Sequence, residues 1–496
     1  MPGRRWRRRS HGMPGMRSAT SRTRAALAVA SLALSACSSL IPEYQRPAAP
    51  VPPSYPADVT PASAPGAEAA ADIDWQRFFA DPRLKRLIAL SLENNRDLRI
   101  AVLNIEQARA IYGIRRADEW PTVGIGAAAS RAAVGNSVAT VYSVGFAVAS
   151  YELDLFGRVH DLSEAALSQY FATAENRKAV QISLVSSVAN AYLAVLADEE
   201  QLRVTRDTLT TREESARITK LRFDNGATSE LDYRQAESQL EGAKAALAQS
   251  LRQRSLDENA LQLLVGQPLP ADLPPPLPLG AEQVPVDVPA GLPSDLLERR
   301  PDIRAAERQL LAANANIGAA KAAFFPRISL TANFGTASGD LSGLFKGGSF
   351  AFTGTAQLLQ PIFDAGRNQA NLDAARVNYG IAVAQYERSI QSSFREVADA
   401  LAGRATLGEQ VRAQAAQTNA LAITYRLADL RYRAGAASYL EALDAQRSLF
   451  VSQLSLVQTQ ALQLQNMVVL YRALGGGWRE ASEVQAVSNP EIPPPR

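Results

Sequence analysis

The stretch Arg431-Tyr432-Arg433-Ala434-Gly435-Ala436-Ala437-Ser438, running on through Leu440 to Tyr471, decides the fold. Two rows of residues interleave from Leu440 onward, each stepping by seven. One row is Leu440, Arg447, Leu454, Ala461, Val468; the other is Leu443, Phe450, Val457, Leu464, Tyr471. Such an a/d pattern is that of a helix lying along other helices. Arg447 is the one charged residue in these rows, and Asp444, three residues earlier, lies one helical step away. The ordinary fate of such a pair is a solvated surface contact.

This stretch has a counterpart earlier in the chain. Leu221-Arg222-Phe223-Asp224-Asn225-Gly226-Ala227-Thr228-Ser229-Glu230-Leu231 reads against Leu430 to Leu440, and both spell helix, Gly-containing turn, helix. Gly157-Arg158 repeats as Gly366-Arg367, and Val188-Ala189-Asn190-Ala191 as Val397-Ala398-Asp399-Ala400. Further upstream Asp97, Arg99, Gly113 and Pro121 fall on Asp302, Arg304, Gly318 and Pro326. The period, roughly 205 to 209 residues, is far too long for a solenoid and makes the chain a tandem duplication.

Each copy changes period after its proline. Tyr142, Val144, Phe146 and Val148 alternate with Ser143, Gly145, Ala147 and Ala149. Ile328, Leu330 and Phe334 alternate with Ser329, Thr331 and Asn333, and Phe350 and Phe352 with Ala351 and Thr353. Two hairpins are expected, about 122–155 and 327–360, with strands of about 10–14 residues, the dyad pattern of a tilted membrane strand. Four strands cannot close a barrel, and an open sheet edge does not survive in lipid, so a membrane role requires several chains to pool their strands. A soluble ribbon is the competing reading. Each hairpin precedes a proline-free run, Gly157 to Phe223 and Gly366 to Tyr432, long enough for a helix of roughly 100 Å. Return helices complete helical hairpins over 157–265 and 366–474.

The resulting plan has a signal at 1–36, an extended Pro/Ala tether at 37–80, and a first repeat at 81–266. A Pro-rich crossover at 267–293 leads to the second repeat at 294–474 and a flexible tail at 475–496. Eight arginines precede the apolar run Ala25 to Ala36, which ends at Leu34-Ser35-Ala36-Cys37 with the only cysteine of the chain. That order is a secretory signal, and Leu-Ser-Ala-Cys resembles the lipobox of bacterial lipoproteins, in which the Cys is acylated. The whole chain carries +3, so removing eight arginines and no acid leaves 3 − 8 = −5. The basicity therefore belongs to the signal and says nothing for nucleic acid.

Nothing in the sequence reads as catalysis. His160 is the only histidine left after the signal, and there is no metal-ligand cluster, phosphate loop or nucleophile–base pair, so neither a cofactor nor a metal is expected.

Lipobox, duplicated hairpin-plus-helix units and, most specifically, Leu443-Asp444-Ala445-Gln446-Arg447-Ser448-Leu449 resemble the outer-membrane factor family, the exit ducts of tripartite efflux pumps. The nearest likeness is to its lipoprotein branch in resistance-nodulation-division systems. The resemblance implies a membrane α+β fold: a homotrimer with four strands per protomer in one outer-membrane barrel, continuous with a periplasmic helical barrel. It also implies a periplasmic adaptor and an inner-membrane pump as partners. Leu440, Asp444 and Arg447 match the apolar ring, acidic ring and arginine of a periplasmic gate, with Glu441 a further acid. The first copy has Leu231, Gln235 and Ser238 there. The turns Gly226-Ala227-Thr228 and Gly435-Ala436-Ala437-Ser438 are the expected adaptor contacts. A protein-secretion duct of type I and a periplasmic coiled-coil scaffold stand as alternatives.

Overall fold

The computed structural model describes residues 39–56, 69–135, 137–280, 283–284, 288, 291 and 295–478. The signal and Cys37 lie outside the described residues. A 3₁₀ turn at Ala70–Asp72 leads into α1 (Trp75–Phe78), α2 (Pro82–Asn94) and α3 (Arg96–Ala117). The first hairpin is β1 (Val123–Val134) and β2 (Ser137–Leu153), followed by the long α4 (Arg158–Asp224) and its return α5 (Glu230–Val265). The second copy runs α6 (Asp295–Arg299), α7 (Pro301–Ala322), β3 (Arg327–Ser338), β4 (Phe350–Leu359), α8 (Arg367–Arg433) and α9 (Tyr439–Ala473). At 67 residues each, α4 and α8 are about 100 Å long.

The described residues form two compact units. One holds the chain through Gln45 with Ala110–Ser168 and Leu311–Ile381; the other holds Arg46–Arg109, Gln169–Leu310 and the chain from Ala382 onward.

In the first unit all four strands join one antiparallel sheet in the order β1-β2-β3-β4, so β2 and β3 weld the two copies together. Gly145 faces Gly335 across that seam, and a Cβ on either would collide with the opposite backbone, so the strands come this close at that point only because both positions lack a side chain. The strands have 12, 17, 12 and 10 residues. β2 exceeds the expected length because its two partners are offset along it, β1 pairing with Ser137–Val148 and β3 with Tyr142–Leu153, and its register to β3 shifts between Val148 and Tyr151, where Ser150 takes φ 56°. Large apolar side chains stand exposed along the sheet: Ile125 at 76 %, Phe350 at 65 % and Phe352 at 66 %. β1 and β4 are edges that pair with no further strand among the described residues.

In the second unit the core gathers where α1 and α2 meet the ends of α5 and α9. Phe78 stacks on Tyr471 with centroids 3.9 Å apart, and the Tyr471 hydroxyl donates to Ile73 O at 2.6 Å. Asp81 Oδ1 accepts from Arg83 N at 2.7 Å, capping α2, while its Oδ2 accepts from the Tyr192 hydroxyl at 2.6 Å and Leu277 N at 3.1 Å. The duplication shows in side-chain chemistry here. Asn95 Nδ2 donates to Leu264 O at 2.9 Å at the end of α5, and in the second copy Arg300 Nη1 donates to Ala473 O at 2.9 Å at the end of α9.

Two segments differ from the sequence reading. The tether, expected as an extended segment, is held by specific contacts. Ser39 Oγ donates to Asp161 Oδ1 at 2.7 Å, Pro42 O accepts from Asn314 Nδ2 at 2.8 Å, and Tyr55 stacks on Phe394 at 5.1 Å. Its last part is core, with Ile73, Trp75, Phe78 and Phe79 buried. A helix of one turn leaves no periodicity to detect, and its aromatic residues hold it in place of repeat pattern. The tail, expected flexible from 475, is instead packed through Trp478. Gly475 N donates to Arg472 O and Gly476 N to Tyr471 O, each at 2.9 Å, closing α9, and Lys178 Nζ lies 4.8 Å from the centre of the Trp478 ring.

Candidate functional site

The helical tips are built by the same device twice. Gly226 N donates to Phe223 O at 2.9 Å and Ala227 N to Arg222 O at 2.7 Å; Gly435 N donates to Tyr432 O at 3.0 Å and Ala436 N to Arg431 O at 2.9 Å. This paired bonding is a Schellman close, which needs a left-handed residue, and the glycines supply φ 69° and 74°. Ser229 and Ser438 then cap the return helices, accepting from Asp232 N at 3.1 Å and Glu441 N at 3.4 Å. Thr228 Oγ1 donates to Asp232 Oδ2 at 2.9 Å. Open space surrounds the spot where a Cβ would stand on Gly226 or Gly435. Both tips therefore end in small side chains with room outside them.

Just inside the second tip, the two rows of seven part company. Tyr439, Ala442, Leu443, Ala445 and Gln446 are buried, whereas Leu440, Glu441, Asp444 and Arg447 share the opposite, exposed face of α9. Leu440 and Arg447 thus leave the intrachain seam, and their row becomes buried only at Ala461 and Val468. A charge at Arg447 is tolerated because no helix of the same chain covers it. Arg447 Nη1 lies 3.5 Å from Asp444 Oδ1, with both side chains about half exposed. Glu441 is engaged elsewhere: Arg431 Nη1 reaches its Oε1 at 3.0 Å, tying the end of α8 to the start of α9.

The structure adds residues that sequence reasoning missed. Arg212 of α4 is buried beneath the Phe450 ring, 5.3 Å from its centre, and donates through Nη1 to Gln239 O at 3.2 Å. Burial first, and then the positive charge of Arg447, hold its guanidinium below the usual range. Tyr439 shares a hydrogen bond of 3.1 Å with Ser215 Oγ, and the Tyr432 hydroxyl accepts from Arg222 Nη1 at 3.0 Å. These contacts fasten the second hairpin to the first beside a crevice of about 460 Å³ lined by Tyr425, Tyr432 and Tyr439. The aromatic–Gly–Ser–Tyr spacing of the second tip was a usable signal for the tyrosines; Arg212 had none, since its partners Gln239 and Phe450 lie far along the chain and meet it only through the fold. Among the described residues no cluster of three or more His, Cys, Asp or Glu side chains could hold a metal.

A four-stranded antiparallel sheet with exposed apolar side chains and open edges, in a chain with two 67-residue helices, defines a channel-forming outer-membrane protein. The chain belongs to the outer membrane efflux protein family, which matches it twice, over residues 87–267 and 292–476. It is 47 % identical over 478 residues to the toluene efflux pump outer membrane protein TtgC of Pseudomonas putida, covering 94 % of this chain and 98 % of that one. It is 45 % identical over 458 residues to the outer membrane protein OprJ of Pseudomonas aeruginosa, covering 90 % and 95 % of the two chains. Among solved structures, the open state of the Neisseria gonorrhoeae MtrE outer membrane channel superposes with a TM-score of 0.82 at 42 % identity, covering 89 % of this chain and 99 % of that one. The protein is accordingly an outer-membrane component of an efflux system.

Proposed function

We propose that three copies of this chain pool their strands into one barrel and act as the passive exit duct of a tripartite efflux system. The observation that carries this is the pair of open edges on a sheet whose apolar side chains face outward. Such edges are untenable in lipid unless further copies complete them. Cys37 adds a lipid anchor, which by itself gives marginal attachment and so supplements the barrel. A periplasmic adaptor grips the tips at Gly226-Ala227-Thr228 and Gly435-Ala436-Ala437-Ser438, where small residues leave room for a partner hairpin. An inner-membrane pump of the resistance-nodulation-division class supplies the energy, so the chain itself does no catalysis. Relatives named for toluene, solvents and antibiotics make small apolar organic molecules the cargo to test first. Leu440, Asp444 and Arg447 form the ring that closes the periplasmic end when no pump is docked, and Glu441 steadies the tip beside it through Arg431. The Asp444–Arg447 pair supports this reading because it lies on the one face of α9 that its own chain leaves uncovered.

The test is drug and solvent susceptibility of a deletion strain, complemented with wild type or with Gly435→Val. Deletion should raise susceptibility at least about fourfold, wild type should restore resistance, and the valine variant should assemble yet restore little. A left-handed valine costs about 1–2 kcal/mol locally, too little to unfold the chain. Unchanged susceptibility on deletion, with the pump genes expressed, would contradict the efflux role. Full complementation by Gly435→Val would remove the tip from the adaptor contact.

A further inference from the structure

The sheet contains one seam between two copies of the same unit, β2 on β3, and its edges β4 and β1 are the counterparts of those two strands. Across the inner seam Gly145 faces Gly335 and Val148 faces Ala332; after the shift Tyr151 faces Leu330 and Leu153 faces Ile328. The hairpin registers fix which residues correspond. Val123 pairs with Val148 in the first copy and Ile328 with Leu358 in the second, Val123 and Ile328 each lying two residues after a proline, Pro121 or Pro326. Beyond these pairs Leu359 alone stands where Ala149 and Ser150 stand, and Gly366-Arg367 falls back into line with Gly157-Arg158.

Carried to the edges, the inner pairing gives one register. Gly145 on Gly335 becomes Thr355 on Ser130, Val148 on Ala332 becomes Leu358 on Ala127, and Leu153 on Ile328 becomes Ile362 on Val123. The inner pairs before and after the shift lead to the same outer register, because the extra residue that forces the shift in β2 is missing from β4. The faces agree as well. Ile125, Phe146, Phe334 and Phe352 form one row across the sheet, and this register keeps Phe352 and Leu358 of β4 on that face, opposite the small Ala133 and Ala127. A slip of one residue would set them against the face of Thr353, Thr355 and Gln357.

Exposure points to the same joint. Ile362, at 95 %, and Phe363, at 90 %, are the most exposed large apolar side chains among the described residues. Leu153, the counterpart of Ile362, is partly buried on β3, and nearby Phe156 stacks on Phe325 at 4.7 Å. Trp120, itself exposed, stands where Phe325 falls, so the register carries the Trp120 of a second copy to the junction that holds Ile362 and Phe363. We propose that β4 of one copy pairs antiparallel with β1 of a second copy, Thr355 opposite Ser130 and Ile362 opposite Val123, so that the joint between chains repeats the joint within the chain. The pairing rests on the chains sharing one barrel, as proposed above.

Disulfide trapping in outer membranes containing the full-length protein, with copper phenanthroline as oxidant and non-reducing gels as readout, tests it. Thr355→Cys with Ser130→Cys and Gln357→Cys with Ala128→Cys are pairs in register; Thr355→Cys with Ala128→Cys and Gln357→Cys with Ser130→Cys are displaced by two residues. Directly opposite residues lie within disulfide reach and displaced ones about 7–8 Å apart, so each in-register pair should give at least about fivefold more covalent dimer and trimer than either displaced pair, over the background of the single variants. The second in-register pair decides the matter if the first variant fails to assemble. Preferential linking of a displaced pair, or equal linking of all four, would overturn the register. No linking in any of them, in a protein that light scattering shows to be a trimer, would overturn the pairing of β4 with β1 and leave the trimer standing. A monomer in detergent would instead strike at the shared barrel beneath it.

Discussion

Asp198 shows what a single buried carboxyl does inside the α4–α5 pair. It is 7 % exposed, and its Oδ2 has no hydrogen-bond partner among the described residues. Asp257 faces it from α5 and is held there by Gln253 Nε2, 3.1 Å from Asp257 Oδ2. Arg254, the nearby cation, is drawn to Glu199 at 3.3 Å and Glu258 at 3.9 Å. Burial, and then hydrogen bonding and like charge from Asp257, raise the Asp198 carboxyl to about 7. In the unfolded chain it titrates near 3.9. The folded state therefore holds an extra proton between those values, and stability present below about pH 4 is lost as pH rises to about 7. Asp198→Asn should stabilise the fold near pH 7.5 by about 1 kcal/mol after solvent screening, seen as a raised Tm, and flatten the pH dependence of Tm between about pH 5 and 7. An unchanged pH profile in the variant would show that the two carboxyls are not coupled. Nothing in the sequence flags this pair, because Asp198 and Asp257 are joined only by the way α4 and α5 lie together.

At the scale of elements, helix ends were legible to within a residue or two because their chemistry is local. Gly226 and Gly435 close helices and Ser229 and Ser438 open them, whatever packs around. The heptad rows of α9 were legible, yet which row meets which neighbour was not. Leu440 and Arg447 share a row with the buried Ala461 and Val468, and only the arrangement of α4, α8 and α9 shows that the row begins uncovered. This exposed start carries the gate proposal. An exposed Asp–Arg pair is worth about 0–1 kcal/mol alone, but three Asp444 carboxylates converging on one axis would repel unless each is offset by its arginine. Asp444→Ala with Arg447→Ala should loosen closure, passing several-fold more current at low voltage in planar bilayers while leaving assembly and thermal stability within about 1 kcal/mol of wild type. Wild-type conductance in a verified assembly would leave these two residues as a surface ion pair.

For the whole molecule, the duplication explains both the fold and the limits of reading it. Two copies of a hairpin-plus-long-helix unit give one continuous sheet because β2 pairs with β3, most closely where Gly145 faces Gly335. The α1 segment and the packed Gly475–Trp478 end were hidden because each rests on a few aromatic contacts spread across the chain, such as Phe78 on Tyr471. The central claim is that the four-stranded sheet is a third of a barrel. Detergent-corrected mass of the purified protein by multi-angle light scattering tests it most directly. The account predicts a detergent-requiring particle of three chains; a monodisperse monomer stable in water without detergent would contradict it.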